Sequence, residues 1–200
     1  PGQTVLVHGG AGGVGSAVIQ LAKHLGATVA TTASASSAET VRRLGADIVI
    51  DYRSEDFVQR LAETPVDIVV DTQGGEITSR SFQVLRLGGI VVGIAGTPDP
   101  ALADQAGAGL MVKTALSALS FKVRRQASKL GVRYRFLFIE PDGEALRTIA
   151  ELVDDGVIQP VVDRILPFDQ ALAALDQLLA GGTRGKVLVT TSEQEVTTHA

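Results

Sequence analysis

The 200-residue sequence has no cysteine and no tryptophan, and its aromatic residues are limited to two Tyr and six Phe. Without cysteine the chain has no disulfide framework, no thiolate nucleophile and no cysteine-built zinc site, a composition that fits a reducing compartment. No run approaches the roughly 20 apolar residues of a membrane span, and the N-terminus lacks the charged and apolar regions of a signal peptide. We therefore expect a cytoplasmic location, no bound metal and no membrane partner.

Clusters of basic residues are also absent. The 18 Lys and Arg against 22 Asp and Glu give a net charge of −4, and the longest basic runs are Arg42-Arg43 and Arg124-Arg125. No positive surface for a phosphate backbone is predicted, so nucleic acid is not an expected partner. The 45% hydrophobic content suffices for one globular domain. Pro1 lies only three residues before the first predicted strand, and we expect the chain to be part of a longer protein.

Several catalytic signatures are missing. The first glycine-rich segment is followed by Ser16-Ala17 instead of the Lys-Ser/Thr of a phosphate-binding P-loop. Neither Tyr52 nor Tyr134 has the Lys four residues later that short-chain dehydrogenases use. There is no G-x-S-x-G elbow, and the three histidines offer no triad member. His8, at a strand end, is interpreted as a structural hydrogen-bonding residue.

What the sequence does contain is an alternation of short Val/Ile-rich runs with amphipathic segments. This pattern is typical of parallel strands buried on both faces, and it predicts an α/β fold. The predicted strands are Thr4–His8, Thr28–Thr32, Asp47–Ile50, Asp67–Val70, Ile90–Ile94, Val132–Ile139 and Lys186–Thr190. In the sixth of these, the aromatic residues alternate with Arg133 and Arg135, and we expect it to be the outer, self-pairing strand of the sheet.

Helices are predicted between these strands. Val14, Val18, Leu21 and Leu25 form one apolar stripe of a helix that ends at Gly26. Ser36 and Glu39 have capping-box spacing for a second helix that ends near Leu44-Gly45, and Ser54 is the predicted cap of a third that carries Phe57, Val58 and Leu61. Further helices are predicted over Leu110–Leu130, Gly143–Asp155 and Phe168–Ala180, followed by a frayed polar tail at Ser192–Ala200.

The run Gly10-Ala11-Gly12-Gly13-Val14-Gly15 is a G-x-G-x-x-G between the first strand and the first helix. In such a loop Gly10 permits the tight turn, Gly12 lets a pyrophosphate approach the backbone, and Gly15 allows close packing of helix against strand. The helix N-terminus adds free N–H groups and a positive dipole end. This context predicts binding of a dinucleotide.

The residues after the second strand bear on which dinucleotide is bound. An NAD site usually has an acid there for the ribose hydroxyls, but the first acid is Glu39. Hydroxyls from Ser34, Ser36 and Ser37 are available to a 2′-phosphate, with Arg42, Tyr52 or Arg53 nearby. Ser36 serves either this role or the helix cap.

A set of linked motifs extends over nearly the whole chain in order. They are His8-Gly-Gly-Ala-Gly-Gly-Val-Gly-Ser-Ala-Val-Ile-Gln-Leu-Ala-Lys23, Leu44-Gly-Ala-Asp47, Ile50-Asp51-Tyr52, Asp71-Thr-Gln-Gly-Gly75, Gly88-Gly89 and Gly185-Lys186-Val-Leu-Val189. Together they resemble the quinone oxidoreductase, zeta-crystallin-like branch of the medium-chain dehydrogenase/reductase superfamily. The resemblance implies a doubly wound Rossmann fold, with a parallel six-stranded sheet, helices on both faces, and a C-terminal strand–helix–strand segment.

The same resemblance implies NADPH as cofactor and a quinone or α,β-unsaturated carbonyl as substrate. The implied cofactor residues are Gly12, Gly13 and Val14 for the pyrophosphate, Ser34 and Tyr52 for the 2′-phosphate, Ile94 and Ala95 near the nicotinamide, and Phe136, Leu137 and Phe138 flanking it. Family members also dimerise through the strand that corresponds to Val132–Ile139. Where they often have Lys or Arg, this chain has Ser36-Ser37, which predicts a modest preference for NADPH.

Family members carry a GroES-like catalytic domain before the nucleotide domain, and this sequence has none. We therefore predict a dinucleotide-binding domain over residues 1–156 and, over 157–200, a segment that completes the missing domain. No catalytic acid or base can be named, and the chain alone is expected to be inactive. Two alternatives remain open: a non-catalytic NADPH sensor or structural module, and the nucleotide domain of a zinc alcohol dehydrogenase relative.

Overall fold

A computed structural model describes residues 1–191 of the chain. Its strands are β1 Thr4–Val7, β2 Thr28–Ala33, β3 Ile48–Asp51, β4 Val66–Asp71, β5 Leu85–Gly93, β6 Arg133–Phe136, β7 Val162–Pro167 and β8 Lys186–Thr190. Its helices are α1 Gly15–His24, α2 Ala38–Arg43, α3 Phe57–Arg60, α4 Glu76–Ser81, α5 Ala101–Gln105, α6 Leu110–Leu119, α7 Phe121–Lys129, α8 Gly143–Asp154 and α9 Ala171–Ala180. Short 3₁₀ turns precede α2 and α9.

The first six strands form one parallel sheet in the order β3-β2-β1-β4-β5-β6. This order is that of the doubly wound Rossmann fold, in which the strands after β3 are added on the other side of β1. A separate two-stranded parallel sheet pairs β7 with β8, and α9 connects the two strands. The predicted fold class is therefore confirmed, including the C-terminal strand–helix–strand segment.

The hydrophobic core lies on both faces of the six-stranded sheet. Alternation along β1 sends Leu6 to a cluster that contains Phe82 and Val91, whereas Val5 and Val7 join a second cluster. Because both faces are covered, apolar residues follow one another along the strand without polar interruption. This explains why short Val/Ile runs identified the strands.

The buried face of α1 differs from the predicted one. Ile19 is fully buried, whereas Val14, Leu21 and Leu25 of the predicted stripe are exposed, Leu25 to 59%. The helix turns its small N-terminal residues and Ile19 toward the sheet, because close approach at the glycine loop fixes its rotation. The predicted end at Gly26 is correct, since Gly26 has φ +78° and its amide bonds to the Lys23 carbonyl.

Both predicted helix caps are wrong. Ser36 lies within a 3₁₀ turn, its hydroxyl bonds to that of Ser34, and α2 begins two residues later without a side-chain cap. Asp56 rather than Ser54 caps α3, because its carboxylate accepts a hydrogen bond from the Val58 amide at 2.8 Å. Ser54 donates to the Asp51 carboxylate instead.

Strand boundaries also shift. β5 begins at Leu85, earlier than predicted, because the strand continues through Gly88-Gly89 with a register irregularity opposite β4. The predicted helix over Leu110–Leu130 is two helices that meet at the buried Ser120.

The last strand of the sheet, β6, is shorter than the predicted Val132–Ile139 but lies at the sheet edge as expected. Its alternation is as predicted: Tyr134 and Phe136 are half-buried, while Arg133 and Arg135 are exposed. The Phe136 amide donates to the buried carboxylate of Asp99 at 3.2 Å. One backbone N–H group on the outer edge of β6 thus already has an acceptor within the chain.

The C-terminal segment contacts the nucleotide-binding half at two places. The Gln20 side chain of α1 makes two hydrogen bonds with the backbone of Gln159, at 2.8 and 3.1 Å. The Gly185 amide donates to the Ala11 carbonyl at 2.7 Å. A boundary between residues 156 and 157 stays a prediction, and the predicted tail at 192–200 lies outside the described residues. No helix within residues 1–191 has the length and apolar character needed to cross a membrane.

Candidate nucleotide-binding site

The glycine loop turns the chain from β1 into α1. The positive φ of +68° is at Gly9, not at Gly10, where we predicted the turn. Position 10 instead has no room for a side chain, because a Cβ there would overlap the Thr31 hydroxyl and lie 2.8 Å from Ile19 Cδ1. A Cβ on Gly15 would overlap the Gly9 carbonyl oxygen, which agrees with the predicted close helix-to-strand packing.

The start of α1 presents backbone donors to the cleft. Within the described part of the chain, the Val14 amide has no hydrogen-bond acceptor, whereas the Gly12 amide bonds to the Gly9 carbonyl and the bridge between Gly12 and Gly185 directs the Gly13 amide toward the Gly185 carbonyl. Unpaired amides at a helix N-terminus, together with the helix dipole, favour a bound anion. Gly12 leaves the approach to these amides open.

A cleft of about 590 Å³ lies above the carboxyl ends of the central strands. Nine of the thirteen predicted cofactor residues line it: Gly12, Gly13, Val14, Gly15, Ser34, Ser36, Ser37, Tyr52 and Ile94. Gly10 lies beneath the loop and does not line it. Ala95, Phe136 and Phe138 also fall outside the lining, so their assignment beside a nicotinamide stays a prediction.

The serines after β2 form a compact polar cluster at one end of the cleft. The Ser34 hydroxyl lies 3.1 Å from that of Ser36 and 3.2 Å from that of Ser37. The exposed Tyr52 ring is beside them in the lining, and the Arg53 guanidinium lies 5.6 Å from the centre of that ring. This group offers hydroxyls and one cation to an anionic ligand.

Two arginines of the lining were missed by sequence analysis. Arg80 of α4 bonds to Asp56 at 2.7 Å and lies 5.0 Å from the centre of the Phe57 ring. Arg184 follows α9 and has no ion pair within residues 1–191. It approaches the glycine loop from more than 160 residues away in sequence, where local pattern gives no signal.

The lining also contains one acid that was missed, Glu55. Its carboxylate accepts from the Asp51 amide at 2.8 Å and lies 3.8 Å from Arg60. With three arginines and one glutamate, the charged side chains of the lining favour an anionic ligand. Among residues 1–191, no group of three His, Asp or Glu side chains is placed to hold a metal ion.

The sheet order, the glycine loop and the cleft above the strand ends define a Rossmann-type dinucleotide-binding domain. A family model described as zinc-binding dehydrogenase matches residues 44–189. The chain belongs to this family, and the resemblance to the quinone oxidoreductase branch of the medium-chain dehydrogenases is confirmed.

Similar proteins are oxidoreductases by name. The chain is 35% identical over 194 residues to the NAD(P)H oxidoreductase RTN4IP1, mitochondrial, of Danio rerio, covering 96% of this chain and 50% of that protein. It is 34% identical to the 2-methylene-furan-3-one reductase of Solanum lycopersicum, covering 94% of this chain and 40% of that protein.

Among solved structures, the quinone oxidoreductase from Coxiella burnetii is similar with a TM-score of 0.79 and 31% identity, over 96% of this chain and 53% of that one. The Escherichia coli quinone oxidoreductase complexed with NADPH is similar with a TM-score of 0.69 and 26% identity, over 94% of this chain and 57% of that one. The chain thus spans about half the length of the relatives it matches.

Proposed function

We propose that this chain is the NADPH-binding domain of a zinc-independent oxidoreductase that transfers hydride from NADPH to a quinone or an α,β-unsaturated carbonyl. The observation that carries the proposal is the cleft that the glycine loop at the start of α1 and the Ser34 cluster line together. Relatives named as enone and quinone reductases support the reaction class.

The residues present fit this cofactor. The amides at the start of α1 would bind the pyrophosphate, and we assign the nicotinamide end to the neighbourhood of Ile94 in the lining and of Ala95, Phe136 and Phe138 beyond it. Bound NADPH supplies the hydride. The chain's own residues orient the cofactor, and the substrate wall and any proton donor are assigned to a GroES-like domain that residues 157–200 help to complete.

The serine cluster favours NADPH over NADH. Among residues 1–191, the Ser34 hydroxyl bonds to no carboxylate, and the carboxylate of Glu55 is already bonded to a backbone amide. Neutral hydrogen bonds contribute about 0.5–1.5 kcal/mol each, and 1.4 kcal/mol corresponds to one decade in affinity. We therefore expect NADPH to bind about tenfold more tightly than NADH, and more if Arg53 contacts the 2′-phosphate.

Calorimetric titration of both nucleotides into wild type and Ser34→Asp tests this assignment. A carboxylate at position 34 should accept from a ribose hydroxyl and repel a 2′-phosphate, which reverses the order of affinities. Ser128→Asp, an exposed substitution on α7, is the control for added charge. NADH binding equal to or tighter than NADPH binding in wild type contradicts the cofactor, and an unchanged order in Ser34→Asp removes Ser34 from the phosphate site.

Assembly and compartment are part of the same proposal. The position of β6 at the sheet edge supports a homodimer formed by pairing of this strand, although Asp99 already occupies the Phe136 amide. The cysteine-free composition supports a reducing, cytoplasmic location, whereas several relatives are named as mitochondrial. Location therefore stays a prediction.

A further inference from the structure

His8 follows β1 immediately and is enclosed below the cleft, with 1% of its surface exposed. Its ring connects two elements that adjoin the cleft. Nδ1 lies 3.2 Å from the Thr32 hydroxyl of β2, and Nε2 lies 3.0 Å from the Ser81 hydroxyl of α4. Both ring nitrogens therefore have side-chain partners.

These partners select one tautomer. Ser81 donates its own hydrogen to the Ile77 carbonyl at 2.7 Å, so it accepts from an Nε2–H group. Thr32 accepts the Gly9 amide hydrogen at 3.1 Å, so its hydroxyl hydrogen is available to an unprotonated Nδ1. In the opposite tautomer the Thr32 hydrogen would have no acceptor within the described residues.

The chain of hydrogen bonds ends on the turn of the glycine loop. Thr32 bonds to Gly9 through its hydroxyl and to the Gly10 amide through its carbonyl at 3.0 Å. Gly9 has the positive φ that starts the loop, and its carbonyl accepts the Gly12 amide at 3.0 Å. The orientation of the Thr32 hydroxyl thus affects the part of the loop that precedes the start of α1.

We propose that His8, as the neutral Nε2–H tautomer, is a positioning residue that fixes the glycine loop through Thr32 and thereby sets the affinity for the cofactor pyrophosphate. The proposal rests on the proposed NADPH function. His8 then has a role beyond packing, because Nδ1 bonds to Thr32, which in turn bonds to the loop, and Nε2 bonds to Ser81 of α4.

The surroundings keep the ring neutral. Burial lowers the pKa of His8 to about 4; the negative charge of Asp71, at the end of β4, opposes this, while Arg80 of α4 adds to it. Phe57 of α3 packs edge-on against the ring at 4.8 Å and carries no charge. An imidazolium would donate at both nitrogens, and the Thr32 hydrogen would again lose its acceptor.

Two substitutions separate the two ends of the ring. In His8→Gln the side-chain amide can replace Nε2 toward Ser81 but offers nothing to Thr32, and in His8→Asn the oxygen can replace Nδ1 toward Thr32. Loss of the hydrogen bond between position 8 and Thr32, which orients the hydroxyl that accepts the Gly9 amide, predicts an NADPH dissociation constant about threefold to tenfold higher in His8→Gln. His8→Asn should bind NADPH more tightly than His8→Gln does.

Ser81→Ala is the matched comparison, because it removes the partner on α4, while the Thr32 hydroxyl still requires an unprotonated Nδ1 and keeps its bond to Gly9. It should lower the free energy of unfolding and raise the NADPH dissociation constant less than His8→Gln does. Equal dissociation constants for wild type and His8→Gln, or a loss in Ser81→Ala as large as that in His8→Gln, would overturn the role of His8.

Two measurements without nucleotide keep this test separate from that of the proposed function. In ¹⁵N spectra of the wild-type imidazole we expect hydrogen on Nε2 and none on Nδ1, and a hydrogen on Nδ1 overturns the proposal. Amide hydrogen exchange of Gly9 and Gly10 should be faster in His8→Gln than in Ser81→Ala, and equal rates overturn it. If both measurements give the expected results but the wild-type chain binds no NADPH, the proposed function is contradicted instead.

Discussion

Replacing Gly12 with alanine should abolish most cofactor binding while leaving the fold intact. Replacing Gly15 with alanine should instead lower the free energy of unfolding. Among the described residues, and apart from its two chain neighbours, a Cβ on Gly12 would come within 4 Å only of the Gly9 carbonyl oxygen, at 3.3 Å. Because Gly12 does not have a positive φ, alanine there gains about 0.4–1 kcal/mol from the unfolded chain. That gain offsets the tight contact, and we expect a free energy of unfolding within about 1 kcal/mol of wild type.

At Gly15 the added Cβ would overlap the Gly9 carbonyl oxygen and lie 2.8 Å from Gly10 Cα. Both neighbours are backbone atoms and cannot rotate away, so overpacking should cost about 1–3 kcal/mol of unfolding free energy. The methyl group introduced by Gly12→Ala, in contrast, lies where a pyrophosphate approaches the backbone. Loss of one charge-assisted hydrogen bond, about 1.5–3 kcal/mol, lowers NADPH affinity about tenfold to a hundredfold.

Urea unfolding and NADPH calorimetry on the same preparations measure both quantities. Gly143→Ala is the control, since a Cβ there meets nothing within 4 Å and the residue lies in α8, away from the cleft. Wild-type NADPH affinity in Gly12→Ala, or equal destabilisation of Gly12→Ala and Gly15→Ala, would refute the assignment of separate roles to the two glycines.

Three further predictions follow from the same structure. Because the unfolded chain protonates His8 near pH 6.5 and the fold resists protonation until about pH 4, acidification through this window should remove about 3 kcal/mol of unfolding free energy. Urea titrations of His8→Gln should lack this component. The isolated chain should oxidise NADPH with quinones far below about 1 s⁻¹, and steady turnover above that rate contradicts the proposal that the substrate wall and proton donor lie outside these residues. Asp99→Ala should free the Phe136 amide and increase the dimer fraction in sedimentation, whereas unchanged sedimentation argues against pairing through β6.

The sheet was predictable from the sequence because its determinants are local. Strands buried on both faces appear as Val/Ile runs, and the glycine loop identifies the junction of β1 and α1 without knowledge of the rest. The predicted buried face of α1 was wrong for a physical reason. Helix rotation is set by the close contacts of Gly15 and Ile19 with the loop, and hydrophobic periodicity does not record such contacts.

Residues that reach the cleft from distant segments could not be predicted in the same way. Arg184 of the C-terminal segment and Arg80 of α4 both line it. The Ser36 cap failed because the three serines bond to one another, and capping-box spacing cannot distinguish that cluster from a helix start. Where a polar side chain has several possible partners, tertiary structure determines which of them it bonds to.

The most direct test of the account is an amide NMR titration of the ¹⁵N-labelled chain with NADPH. We predict that the largest shifts occur at Gly13 and Val14 at the start of α1, where the Val14 amide is unpaired within residues 1–191, with a second group at Ser34 and Ser37. NADPH that leaves the Gly13 and Val14 amides unshifted, or shifts only residues outside the cleft, would contradict it.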